Sequence, residues 1–142
     1  MRTIEAVLPY YLWRYMKPSI ISGTADESVF DLRIDPPEDY VSMFEGVGAD
    51  YFSIANSALK NILSRRKVSR SGRIVSLDLK EIDQTINYPQ PLVGFREYGR
   101  PHFGMHYLTG EEHLVLEVQT MLEVMCPQHP YTEKYEVLPA IT

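Results

Sequence analysis

This sequence predicts an α+β fold: a mixed or mainly antiparallel sheet with about three helices packed on one of its faces. Three observations predict it. Two aromatic-rich runs, residues 92–98 and 103–108, flank the turn-forming residues Gly99, Arg100, Pro101 and His102 and so read as a hairpin. Apolar residues recur at helical spacing over residues 54–63 and again over 114–125. Strands and helices do not follow the β–α–β alternation that a parallel doubly wound sheet requires. The 142 residues can bury one core and contain no repeat or linker, so residues 1–142 are expected to form a single domain.

Near the start, Ile4, Val7, Leu8, Tyr11, Leu12 and Tyr15 keep helical intervals, yet Pro9 would interrupt a helix there. Tyr10, Tyr11, Trp13 and Tyr15 favour extended backbone, so an edge or first strand is expected to begin near Pro9. Residues 19–27 read as loop. Over residues 28–34, Val29, Asp31 and Arg33 alternate with Phe30, Leu32 and Ile34, the pattern of a half-buried strand. Asp35-Pro36-Pro37-Glu38 then combines a preferred N-cap, proline at the first helical position and an acid in the first turn. A short helix is therefore expected to run to about Glu45, with Gly46 and Gly48 turning the chain after it.

In the next helix Ala55, Ala58, Leu59, Ile62 and Leu63 form the stripe, Ser53 is the expected cap, and Arg65, Arg66 and Lys67 answer the negative end of the dipole. A loop over 69–72 leads to a strand in which Val75, Leu77 and Leu79 alternate with Ser76, Asp78 and Lys80. Pro89 and Pro91 make residues 87–91 irregular. After the hairpin, Thr109-Gly110-Glu111-Glu112 has the form of a capping box. The helix it opens carries Leu114, Val118, Met121, Leu122 and Met125 on one face and stops before Pro127. Residues 135–138 are expected to add a short closing strand.

Apolar residues make up 44% of the chain and charged residues 23%, which is ordinary for a globular protein and excludes wholesale disorder. No apolar run approaches the roughly 20 residues that cross a bilayer, and a single cysteine cannot make an internal disulfide, so a soluble, cytoplasmic protein is expected. The net charge of −5 conceals segregation. Residues 60–73 hold 6 bases and no acid, whereas Asp26, Glu27, Asp31, Asp35, Glu38, Asp39, Glu45 and Asp50 face only Arg33 over residues 26–50.

Residues 102–129 hold all four histidines, His102, His106, His113 and His129, and the only cysteine, Cys126. Imidazole and thiolate are zinc ligands, and the Cys126–His129 spacing suits a chelate. On a hairpin strand, however, His102 and His106 would sit roughly 13 Å apart, too far for one ion. Cys126 falls at a helix C-terminus, where the dipole opposes a thiolate nucleophile. His106 or His113 beside Glu111 or Glu112 would suit a general base, but first-turn acids already explain both glutamates. No phosphate-binding loop, dinucleotide glycine motif, nucleophile elbow or HExxH zinc motif is present. The basic run fits a solvated helix end better than a phosphate-binding patch in an acidic protein, so nucleic acid is not the expected partner.

These observations favour a non-enzymatic protein-binding module without a cofactor, of the inhibitor, immunity-protein or adaptor kind. Its partner would be a basic protein met by Asp35, Glu38, Asp39, Tyr40, Glu45, Asp50 and Tyr51, where carboxylates steer and tyrosine rings anchor. The 10 tyrosines suit such a surface. Two alternatives stand beside this reading. One is a small hydrolase or metal enzyme built on His102, His106, His113, Glu111 and Glu112. The other is an assembly protein that buries its tyrosines, or pairs its basic run with acids, against copies of itself.

Overall fold

A computed structural model describes residues 8–23, 28–32 and 39–141. Ile4 and Val7, the acids Asp26 and Glu27, the strand positions Arg33 and Ile34, and the cap Asp35-Pro36-Pro37-Glu38 lie outside the described residues. The described strands are β1 (Tyr11–Met16), β2 (Val41–Phe44), β3 (Arg73–Asp78), β4 (Val93–Glu97), β5 (His102–Tyr107) and β6 (Gln128–His129); the helices are α1 (Pro18–Ile21), α2 (Tyr51–Leu63), α3 (Leu79–Thr85) and α4 (Glu112–Met125). One sheet takes all six strands in the order β4-β5-β2-β1-β3-β6. Every pairing in it is antiparallel. The fold is α+β.

The helices lie on both faces of this sheet, which corrects the expected one-sided packing. Leu12, Val41, Met43, Val75, Leu77, Phe95, Phe103 and Met105 turn to the face covered by Ile82 of α3 and by Val118 and Leu122 of α4. Trp13, Tyr15, Phe44 and Ile74 turn to the other face, under Ala55, Ala58, Leu59 and Ile62 of α2 and under Tyr131 and Val137. Double coverage explains β3, where Ile74, Val75, Ser76 and Leu77 are all buried and the expected half-exposed alternation is lost. That strand also stops at Asp78, whose carboxylate accepts from the amides of Lys80 and Glu81 and starts α3 at Leu79, a helix the alternation concealed.

Strand β1 begins after Pro9 as expected, but in the interior, paired with β3 through Leu12–Leu77 and with β2 through Trp13–Phe44. Residues 19–21, expected as loop, belong with Pro18 to the single turn α1. Residues 28–32 are a turn, not a strand, and side-chain hydrogen bonds hold them. Asp31 accepts from the Ser28 amide at 2.7 Å, Arg14 Nε donates to the Val29 carbonyl, Tyr107 donates to the Phe30 carbonyl at 2.7 Å, and Gln119 donates to Asp31 at 2.7 Å. Val29 and Phe30 are consequently both buried although adjacent. Residues 41–44 are strand rather than the expected helix, because Val41, Ser42, Met43 and Phe44 pair with Met105, Gly104, Phe103 and His102.

Helix α2 starts at Tyr51, with Asp50 rather than Ser53 as cap; the Asp50 carboxylate accepts the Ser53 amide at 2.9 Å. Gly46 lets α2 dock closely. A Cβ there would lie 2.0 Å from the Ile54 carbonyl oxygen and 2.6 Å from the Ala58 amide. The hairpin forms as expected. The capping box does not: Thr109 Oγ1 accepts the Glu111 amide at 3.1 Å, and α4 opens without a side-chain cap. Nor do residues 135–138 make a strand, since Tyr135 has φ of 60° and only the isolated bridge Tyr131–Val137 forms. The last strand is β6, earlier in the chain.

Candidate functional site

Three groups of side chains draw together what the sequence set apart. The first lies on the α2 face of the hairpin. His102 and His106 flank Gly104 on β5, and over Gly104 lie the rings of Tyr40 and Tyr98, stacked 4.1 Å apart. A Cβ at Gly104 would meet Tyr40 at 2.5 Å and Tyr98 at 2.6 Å, so the rings settle there because the position has no side chain. Ser42 Oγ and His102 Nε2 share a hydrogen bond of 2.7 Å, and Tyr98 Oη and His106 Nε2 one of 2.5 Å. Burial lowers the pKa of both imidazoles and keeps them neutral at pH 7.

A serine hydroxyl on a neutral imidazole is the nucleophile–base pair of a catalytic triad without its orienting group. Here His102 stacks on Phe44, and no carboxylate among the described residues bonds either imidazole to orient it. The pairs instead satisfy hydroxyls and ring nitrogens at a half-buried sheet surface.

The second group is internal. His129 is 2% exposed, and its Nδ1 lies 2.9 Å from the Leu138 carbonyl. A carbonyl only accepts, so Nδ1 carries the proton and Nε2 is left to accept from Tyr51 Oη at 2.8 Å. Ser76 Oγ then donates to Tyr51 Oη at 2.7 Å. Burial lowers the His129 pKa, as this neutral relay requires. Trp13 packs against Tyr51 and His129, and its Nε1 is buried with no hydrogen-bond partner among the described residues. Tyr51 thus turns its hydroxyl inward, not outward as a partner anchor.

Among the described residues the expected acidic face is dispersed. Asp35 and Glu38 lie outside the described residues. Asp39 is exposed at the start of β2, while Tyr40 is held in the ring stack. Glu45 pairs with Arg100 at 3.2 Å, and Asp50 spends its carboxylate on the α2 cap. The weak metal candidates also separate. His102 and His106 bond hydroxyls, His129 is in the relay, and burial pushes the Cys126 thiol up to about 12. No three His, Cys, Asp or Glu side chains converge among the described residues. His113 and Glu111 lie 3.8 Å apart, both exposed. Of the basic run, Arg66 covers the Tyr15 ring, Arg70 approaches Glu133 at 3.9 Å and Arg73 donates to Gln128.

The third group is on the outside of α4. Val118, Gln119 and Leu122 turn inward, and Gln119 reaches Asp31. Leu116 is 55%, Met121 41% and Val124 84% exposed. Met121, expected in the core, belongs to this outer set. At 100° per residue, Leu116, Thr120 and Val124 fall on one line, with Glu117 and Met121 beside it. Leu116, Glu117, Thr120 and Met121 line a shallow depression. The helix holds Glu112, Glu117 and Glu123 and no lysine or arginine. The signal was present in the sequence, since 114–125 contains more apolar residues than one stripe can bury. No described helix is long and apolar enough to cross a membrane.

No family model, curated protein or solved structure is recognisably similar to this chain.

Proposed function

We propose that this protein is a non-enzymatic binding module whose outer α4 face receives a basic, amphipathic segment of another protein. The single observation that carries this reading is the exposure of Leu116, Met121 and Val124 on a helix whose only formally charged side chains are glutamates. Exposed aliphatic side chains in a contiguous stripe are stabilised by leaving water, and the core makes no use of these three. The glutamates set the sign of the partner. Two copies of α4 brought face to face would oppose Glu112, Glu117 and Glu123 with their own kind, whereas lysines flanking an apolar stripe would complement them. An inhibitor, immunity protein or adaptor would use the face in this manner, by covering a basic surface.

The test is a fluorescence-anisotropy titration with a labelled cationic amphipathic helical peptide and with a scrambled peptide of the same composition. The amphipathic peptide is expected to bind saturably, less tightly as salt rises, and at least about tenfold more weakly to Leu116→Ser/Val124→Ser. Equal binding of the scrambled peptide, or of the double variant, refutes the reading, because charge alone would then account for the affinity.

A further inference from the structure

The two edges of the sheet are finished differently. At the β6 edge the chain's own C-terminal segment bonds outward-facing groups: Ile141 donates to the Gln128 carbonyl at 3.0 Å, and Leu138 donates to the Pro130 carbonyl at 2.9 Å. At the other edge, β4 has β5 as its one strand neighbour among the described residues. Tyr98 donates to the His102 carbonyl and Leu108 to the Leu92 carbonyl, so even-numbered residues of this hairpin form its hydrogen-bonded pairs. The amides of Phe95 and Glu97, and the carbonyls of Val93, Phe95 and Glu97, therefore point away from the sheet. The Val93 amide is already taken by Asn87 Oδ1 at 2.9 Å.

Native edges are usually guarded by a lysine, a bulge or a covering loop. On β4, Arg96 lies over the Tyr98 ring instead of across the edge, and Glu97 is engaged by Arg100 at 3.2 Å. A hollow of about 430 Å³ opens alongside, lined by Pro91, Val93, Phe95 and Leu108 with Asp83 and Asn87 at the α3 end.

We propose that the β4 edge accepts an extended segment of another protein as an added strand, with one apolar side chain in the hollow and an acidic side chain opposite Arg96. Backbone pairing supplies the register, and the alternating side chains supply the choice of partner. A second copy of this chain fits poorly. Two β4 strands related by a two-fold axis at Phe95 would set both Arg96 side chains at diagonal positions on the same face, where like charges repel. This surface is separate from the α4 face and does not depend on it.

The probe is a short peptide alternating valine with threonine and carrying one central glutamate, beside the same peptide with lysine in that place. In the free protein the Phe95 and Glu97 amides are expected to exchange rapidly with solvent, and the glutamate peptide to slow both. The lysine peptide is expected to bind about tenfold more weakly. Glu97→Pro removes an outward amide without touching the β4–β5 ladder. It is expected to abolish peptide binding while leaving the thermal midpoint within a few degrees and the affinity of α4 for its cationic peptide unchanged. Unaltered exchange at Phe95 and Glu97 with the peptide in excess overturns the proposal. So does wild-type peptide affinity in Glu97→Pro, or a dimer in light scattering whose Phe95 and Glu97 amides are already protected.

Discussion

Helices α2 and α4 are nearly the same length, 13 and 14 residues, and each packs on one face of the same sheet, yet they stand in different relations to the core. Helix α2 buries Ala55, Ala58, Leu59 and Ile62 in one stripe, takes a side-chain cap from Asp50, and is drawn against its own lead-in loop at Gly46. Helix α4 buries Val118, Gln119 and Leu122, has no side-chain cap, and leaves Leu116, Met121 and Val124 outside. Apart from Phe52, 41% exposed, helix α2 uses its apolar residues for folding. Helix α4 has a surplus flanked by Glu112, Glu117 and Glu123, and the proposed binding role rests on it.

The comparison can be broken most directly by truncating one leucine in each helix. Leu59→Ala, at a site with no exposure, is expected to lower unfolding stability by about 2–5 kcal/mol in urea denaturation. Leu116→Ser is expected to stay within about 0.5 kcal/mol of wild type. A loss at Leu116 comparable to that at Leu59 would mean that the outer stripe is packed against something in the folded chain.

Gly46→Ala should also destabilise strongly, because the added methyl meets backbone atoms of α2 at 2.0 and 2.6 Å and backbone cannot turn aside as a side chain can. Gly110→Ala, ahead of α4 with open space around it, should do little by comparison. Thermal melts of the two variants would order them.

A third effect, smaller, follows from pH. The pKa values of His129, His102 and His106 are all lowered by burial. An unfolded chain protonates these groups near pH 6.5, before the folded chain does. Stability is therefore complete above about pH 6.5 and is lost as pH falls through the folded values. Urea midpoints should drop between about pH 7.5 and about pH 5.5, and His129→Asn should flatten that slope. A midpoint independent of pH over this range would contradict the neutral relay of Ser76, Tyr51 and His129.

The smallest effect concerns the helix ends. Asp50→Ala removes the one side-chain cap of α2 and should lower the melting temperature measurably. Thr109→Ala should change it less, because Thr109 bonds the loop amide of Glu111 and not the first turn of α4.

What the sequence disclosed was its local grammar. The hairpin, the α2 stripe, the end of α4 before Pro127 and the remoteness of His102 from His106 were legible, because each depends on spacing within a few residues. Much of what it concealed depended on contacts far along the chain. The turn at residues 28–32 is set by Arg14, Tyr107 and Gln119, and β3 loses its alternation because helices from both sides meet it. Asp78 could be read as a strand residue until its carboxylate was seen capping α3. The acidic stretch was visible as composition, but the tasks of Glu45 and Asp50 were not: the Glu45–Arg100 ion pair leaves no local trace, whereas the Asp50 cap is local and lies three residues before Ser53, the residue expected as the cap. For α4 the five residues given to the core face included Met121, which lies outside, and Leu116 and Val124 had been given no place.

The outer face of α4 carries the functional account, and a backbone amide titration monitored by NMR tests it most directly. On adding the cationic amphipathic peptide, shifts are expected to concentrate on α4 around Leu116, Thr120, Met121 and Val124, and to vanish in Leu116→Ser/Val124→Ser. Shifts centred instead on Asp39, Tyr40 and the hairpin, or spread evenly over every exposed carboxylate, would contradict it.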